Sequence, residues 1–133
     1  MRLLLDTTIF LEVILEQEKA QLVQDLLSGT EEHEFFLSDY ALHSIGLLLF
    51  RRKQHDTFRR FLADMILNAV VELISLSGQE MESVVEVAER FNLDFDDAYQ
   101  YVIAEHYGLK IVSFDRDFDR TAKGRVTPDQ LGS

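Results

Sequence analysis

The chain contains no cysteine. That excludes a disulfide, a thiolate nucleophile and a cysteine zinc site, and it suits a reducing cytoplasm, where we expect the protein to reside. Basic residues are scarce, with 13 Lys and Arg against 24 Asp and Glu and a formal net charge of -11. Nucleic-acid binding over a wide face draws its affinity from neutralised phosphates, so a general DNA-binding module is disfavoured. Long apolar runs are missing too: the one after Met1 is cut short by Asp6, and Ala41 to Phe50 is half a bilayer span and contains His43. Neither a signal peptide nor a membrane anchor is expected. Proline occurs once, at Pro128, and repeats and low-complexity linkers are absent. The 133 residues read as a single domain, 1–133, long enough to bury a real core.

Three nucleotide and hydrolase signatures are also lacking. There is no GxGxxG, no GxxxxGK[ST] and no GxSxG, which removes dinucleotide binding, the P-loop and the serine-hydrolase elbow. A haloacid-dehalogenase type phosphotransferase wants a second Asp two residues after the first, where Thr8 stands, and a response-regulator receiver wants an acidic pair where only Asp6 is found.

What the chain does have is concentrated between Asn92 and Arg120, NLDFDDAYQYVIAEHYGLKIVSFDRDFDR. Asp94, Asp96 and Asp97 precede a helical pattern, and Asp115, Asp117 and Asp119 follow a short apolar strand. Charges of one sign at the ends of neighbouring elements repel by several kcal/mol at an effective dielectric of ~20 unless a cation sits among them. A divalent metal is the natural candidate.

The rest of the chain alternates strand and helix. Leu3-Leu4-Leu5 reads as a strand buried on both faces, and Asp6, Thr7 and Thr8 supply caps for the helix after it. Apolar spacing predicts two helices, or one bent helix, up to Gly29, then a strand Phe35–Leu37 and a helix from Tyr40 to Arg52 capped by Ser38 or Asp39. An amphipathic helix carries Phe58, Phe61, Leu62, Met65 and Ile66, and Val70 to Leu76 turns strand-like. Ser77-Gly78-Gln79-Glu80 spells a capping box before a helix with Met81, Val84, Val85, Ala88 and Phe91 inward. The helix Ala98 to Tyr107 stops at Gly108, before a last strand up to Ser113, and Tyr99, Tyr101 and Tyr107 read as half-buried packing residues. This pattern predicts a parallel α/β sheet covered on both faces. Ligands of such sheets bind beyond the carboxyl ends of the strands, where Asp6, Ser38 or Asp39, and Asp115 stand, with Asp97 facing the same edge.

These residues resemble the PIN domain, the fold of VapC-type toxins and related metal-dependent ribonucleases, over nearly the whole chain. Leu4-Leu5-Asp6-Thr7 looks like the family's first motif, Asp97-Ala98 like its third, and Ser113-Phe114-Asp115 with Asp117-Phe118 like its Ser/Thr-x-Asp motif. The resemblance implies a three-layer α/β/α sandwich with a short, mainly parallel central sheet. It implies that Asp6, Asp97 and Asp115 hold Mg²⁺ or Mn²⁺, that Asp39 or Asp117 joins them, and that Ser113, with Thr7 nearby, steadies the site. It also implies endoribonuclease activity leaving 5′-phosphate and 3′-hydroxyl ends, as the toxin of a type II toxin–antitoxin pair. One departure stands out: the family's second motif places a Glu about one turn into the helix after the second strand, and here that position falls on Ser44 or His43. Asp39 either caps the helix or reaches the metals, and His43 either ligates through nitrogen or is an ordinary helix residue.

Two functions follow as expectations. One is a metal-dependent endoribonuclease with an RNA substrate and an antitoxin partner. The other is a catalytically weak or inactive PIN-fold module acting through RNA or protein binding. Arg51, Arg52, Lys53, Arg59 and Arg60, with His55, form a basic cluster that is either an RNA contact or a solvated helix corner. The apolar helices Thr8 to Gly29 and Tyr40 to Leu67 offer surface to an antitoxin or to a second copy in a homodimer.

Overall fold

The computed structural model describes residues 1–131. Four strands, β1 (Arg2–Leu5), β2 (Glu34–Ser38), β3 (Val71–Ile74) and β4 (Lys110–Val112), form one parallel sheet in the order β3-β2-β1-β4. β1 and β2 are buried after their first residue. A central parallel strand is covered on both faces, so consecutive side chains must be apolar, and Leu3-Leu4-Leu5 and Phe35-Phe36-Leu37 meet that demand.

Six α-helices flank the sheet: α1 (Thr7–Ile14), α2 (Ala20–Leu27), α3 (Asp39–Arg51), α4 (His55–Phe61), α5 (Met81–Phe91) and α6 (Phe95–Tyr107). Alternate strand residues point to opposite faces. Leu4, Phe36 and Ile111 pack with Val84 and Val87 of α5 and Ala98, Val102 and Ile103 of α6. Leu3, Leu5, Phe35, Leu37 and Val112 pack on the other side with Ile9, Phe10, Val23, Ile45 and Leu49. The result is the expected three-layer α/β/α arrangement. Leu4, with no exposed surface, sits where truncation to alanine costs about 2–5 kcal/mol.

The helix starts follow the capping chemistry in the sequence. Asp6 accepts from Thr7 N at 2.8 Å, Ser38 Oγ accepts from Ala41 N at 3.0 Å, and Asp94 accepts from Asp97 N at 3.1 Å. Ser77 N donates to Glu80 at 2.9 Å, closing the capping box ahead of α5. Gly108 ends α6 in the left-handed region, φ 67, where a side chain is disfavoured.

Some boundaries differ from expectation. α6 begins at Phe95, because Asp94 rather than a later residue caps it, whereas the stretch before Gly29 is two separate helices, one of the two arrangements expected. β3 is shorter than Val70–Leu76. The amphipathic helix breaks after Phe61 into wider π turns over Leu62–Leu67, with Asn68 N donating to Ala63 O, five residues back, at 3.2 Å. The widened turns keep both Met65 and Ile66 against the core. Tyr99 and Tyr101 are fully buried rather than half-buried.

Candidate metal centre

The carboxyl edge of the sheet collects one residue from each neighbouring element. β1 ends at Asp6, β4 leads through Ser113 to Asp115, and the first turn of α6 presents Asp97. Asp97, Asp115 and Asp117 each offer a carboxylate oxygen, and these oxygens lie within 4.8 Å of one another. Beside them is a cavity of about 240 Å³ lined by Asp6, Thr7, Thr8, Tyr40, Ser44, Asp94, Asp96, Asp97, Gln100 and Asp115.

Asp6 is held from four sides. Its Oδ1 accepts from Thr7 N at 2.8 Å and Gln100 Nε2 at 3.2 Å, and its Oδ2 accepts from Thr8 Oγ1 at 3.2 Å and Ser113 Oγ at 2.7 Å. Ser113 Oγ in turn accepts from Asp115 N at 2.9 Å, and Asp115 Oδ1 accepts from Asp117 N at 2.8 Å. Ser113 thus links Asp6 to the backbone of Asp115, and Thr7 contributes its backbone N–H. Asp6 lines the cavity without being one of the three carboxylates whose oxygens converge.

Burial pushes the Asp97 carboxyl up to about 8, with further upward pressure from the charges of Asp115, Asp94 and Asp6. Burial also raises Asp6, against the lowering effect of its hydrogen bonds to Ser113, Gln100, Thr7 and Thr8. Both directions describe carboxylates crowded into a site that lacks positive charge. Hard oxygen donors in this number suit Mg²⁺ or Mn²⁺, which need only a few protein oxygens. The orphaned, buried Oε1 of Gln100 fits the same group, since it wants a donor that the lining does not give it.

The remaining sequence candidates separate clearly. Ser44 lines the cavity, whereas His43, one position round α3, is exposed and does not. Of the two positions expected for the Glu of the second motif, Ser44 is the one beside the acids. Asp39 is exposed, and its Oδ1 accepts from Tyr40 N at 2.9 Å and from Tyr99 Oη at 2.8 Å, while Ser38 does the capping. It does not line the cavity. Asp96 accepts from Tyr40 Oη at 2.6 Å, and that bond raises the Tyr40 phenol to about 12. Arg51, Arg52, Lys53, Arg59 and Arg60 are all exposed, and none lines the cavity. Arg51 stands seven residues beyond Ser44 on α3, roughly 10 Å along the axis at 1.5 Å per residue.

Three lining residues escaped the sequence reading as parts of the site: Gln100, Tyr40 and Thr8, the last taken only for a helix cap. Gln100 carried a usable signal, because three residues after Asp97 is the same helix face. Tyr40 looked like ordinary apolar packing.

A parallel α/β sandwich with an acidic centre at the carboxyl edge of its sheet is the class this geometry defines. The model of the PIN domain family matches residues 3–124, and the chain belongs to that family. No curated protein matches the sequence. Among solved structures the chain is similar to VapC20 of Mycobacterium tuberculosis, a sarcin-ricin loop cleaving toxin, at 21% identity and TM-score 0.77, covering 95% of this chain and 99% of that one. It is also similar to a chain of a toxin–antitoxin complex from Klebsiella pneumoniae, at 19% identity and TM-score 0.74, covering 94% and 96%. VapBC2 of Rickettsia felis, bound to a DNA fragment from its promoter, gives 14% identity and TM-score 0.72, covering 95% and 97%. At these identities the likeness is one of fold. Among the described residues no helix is long and apolar enough to cross a membrane.

Proposed function

We propose that this chain is a divalent-metal-dependent endoribonuclease of the PIN family, the toxin of a type II toxin–antitoxin pair. The observation that carries the reading is the convergence of Asp97, Asp115 and Asp117 within 4.8 Å beside buried Asp6. Asp97 and Asp115, with Asp6 and Asp117, would hold Mg²⁺ or Mn²⁺. Bound there, the cation supplies Lewis-acid stabilisation of the phosphate and an acidified water. The protein's part is positional. Ser113 ties Asp6 to the backbone of Asp115, so the ends of β1 and β4 keep their spacing. Water would attack the phosphorus as the P–O3′ bond breaks, passing its proton to one carboxylate of the pair Asp97 and Asp115, and the leaving 3′ oxygen would take a proton from solvent to depart as a hydroxyl. No covalent intermediate is involved.

RNA is the substrate in this reading, approaching the open side of the cavity with the basic corner Arg51, Arg52, Lys53, Arg59 and Arg60 as its phosphate contact. An antitoxin is the protein partner, and Leu22, Leu47, Phe50 and Leu67, all exposed, leave apolar surface for it or for a second copy in a homodimer. Such a toxin works in the cytoplasm as a single domain.

The test is cleavage of structured and single-stranded RNA with Mg²⁺, Mn²⁺ or chelator, against Asp97→Asn. Metal-dependent cleavage lost in the variant supports the reading; cleavage indifferent to metal and to Asp97 sinks it. One observation favours a second reading, a weakly catalytic module that acts by binding: Ser44 stands in the cavity where the family's carboxylate is expected. RNA binding without cleavage at any metal concentration would select it.

A further inference from the structure

Gln100 has only half of its hydrogen-bonding capacity engaged. The residue is 2% exposed and lines the acidic cavity from α6. Its Nε2 donates to Asp6 Oδ1 at 3.2 Å, whereas its Oε1 is buried without a hydrogen-bond partner. Buried acceptors are nearly always paired, and one left alone points to a ligand, a water or an ion. Asp6 fixes which way the amide faces, because turning it over would set the amide oxygen against a carboxylate oxygen. The donor that Oε1 lacks must therefore come from something taken into the cavity. Five aspartates line that cavity, Asp6, Asp94, Asp96, Asp97 and Asp115. Carboxylates in such number collect a hydrated cation, whose hydration shell brings strong O–H donors.

We propose that Gln100 is a positioning residue of the metal centre. Its carboxamide steadies Asp6 through Nε2 and accepts a hydrogen bond from the hydration shell of the cation at Oε1. Gln100 lines the cavity from α6 and Ser44 from α3. The inference rests on the reading of this cavity as a divalent-metal centre.

Calorimetric Mn²⁺ titration of the full chain tests it, with the melting temperature of each metal-free variant recorded alongside. Gln100→Leu removes both contacts and should weaken Mn²⁺ binding by ~10–100-fold, the usual effect of losing a residue that orients metal ligands, while the metal-free protein stays folded. Gln100→Glu keeps an acceptor oxygen and adds a charge but loses the donor to Asp6, and it should bind Mn²⁺ more tightly than Gln100→Leu. A packing residue would show no such rescue. Wild-type affinity in Gln100→Leu overturns the inference and leaves the metal centre standing. No Mn²⁺ uptake by the wild-type chain overturns the metal centre itself, and the inference with it. If Gln100→Leu does not fold, Gln100→Met, which keeps the side-chain length without either polar atom, takes its place, and wild-type affinity in that variant overturns the inference.

Discussion

Ser113 Oγ donates to Asp6 Oδ2 at 2.7 Å, joining two residues 107 positions apart. The same oxygen accepts from Asp115 N at 2.9 Å, so one hydroxyl fixes the ends of β1 and β4 to each other. Its single hydrogen goes to Asp6, the more negative partner. Ser113→Ala leaves a buried carboxylate short of one donor and a backbone N–H without its acceptor. The expected loss is about 1–3 kcal/mol of stability in denaturant unfolding, with weaker Mg²⁺ binding. Ser113→Thr, which keeps the hydroxyl, should restore most of the Mg²⁺ affinity.

The metal-free protein should lose stability as pH rises. Asp97 titrates near 3.8 unfolded and at about 8 folded, raised first by burial and then by its acidic neighbours. The native state therefore holds the proton more tightly, so this group's contribution is complete below pH 3.8 and is lost progressively up to about pH 8. Scanning calorimetry in chelator should show the melting temperature falling across that range. Asp97→Asn should flatten the fall, raise the melting temperature at pH 8, and reduce the stabilisation that Mg²⁺ confers. Strong destabilisation of metal-free Asp97→Asn would make Asp97 a structural residue instead.

Ser44→Glu should tighten Mg²⁺ binding and raise RNA cleavage, because it adds a hard oxygen donor and a charge to the cavity that Ser44 already lines. His43→Glu is the control, about 100° round the helix and exposed. Calorimetric titrations and cleavage rates of the pair should show a response in Ser44→Glu alone. An equal response from both would mean that added charge acts without regard to position.

Tyr99 Oη accepts from Leu76 N at 3.1 Å and donates to Asp39 Oδ1 at 2.8 Å, bridging the end of β3 to the start of α3 through α6. Tyr99→Phe strands the buried Leu76 N–H, and the expected cost is about 1–3 kcal/mol. Amide hydrogen exchange at Leu76 should accelerate, whereas Mg²⁺ affinity should hold, since neither Tyr99 nor Asp39 lines the cavity.

The sheet was legible because its demands are local. Leu3-Leu4-Leu5, a short apolar run closed by Asp6, fits a strand covered on both sides, and Asp6, Ser38, Asp94 and Gly108 mark helix ends by their own chemistry. The acids at the carboxyl edge followed from their places after the strands. What sequence could not settle depends on side-chain direction. Ser44 and His43 are neighbours along the chain, and only the seating of α3 on the sheet turns one to the cavity and the other to solvent. Asp39 could not be assigned until Tyr99, sixty residues away, was placed against it. The π turns after Phe61 were invisible because Leu62, Met65 and Ile66 fit an ordinary helical period equally well.

The order of the strands also fixes when the centre can come into being. β1 is an inner strand, and its outer neighbour β4 pairs Leu4 with Ile111, more than a hundred residues later. A contact that distant in sequence closes late, after the chain between has paid its loop-closure entropy. On the ribosome Asp6 emerges well before its partners at Ser113 and Asp115, which follow more than a hundred residues later. The growing polypeptide therefore carries no assembled acidic cluster until β4 and the residues after it have emerged, and whatever chemistry the cluster performs begins only then.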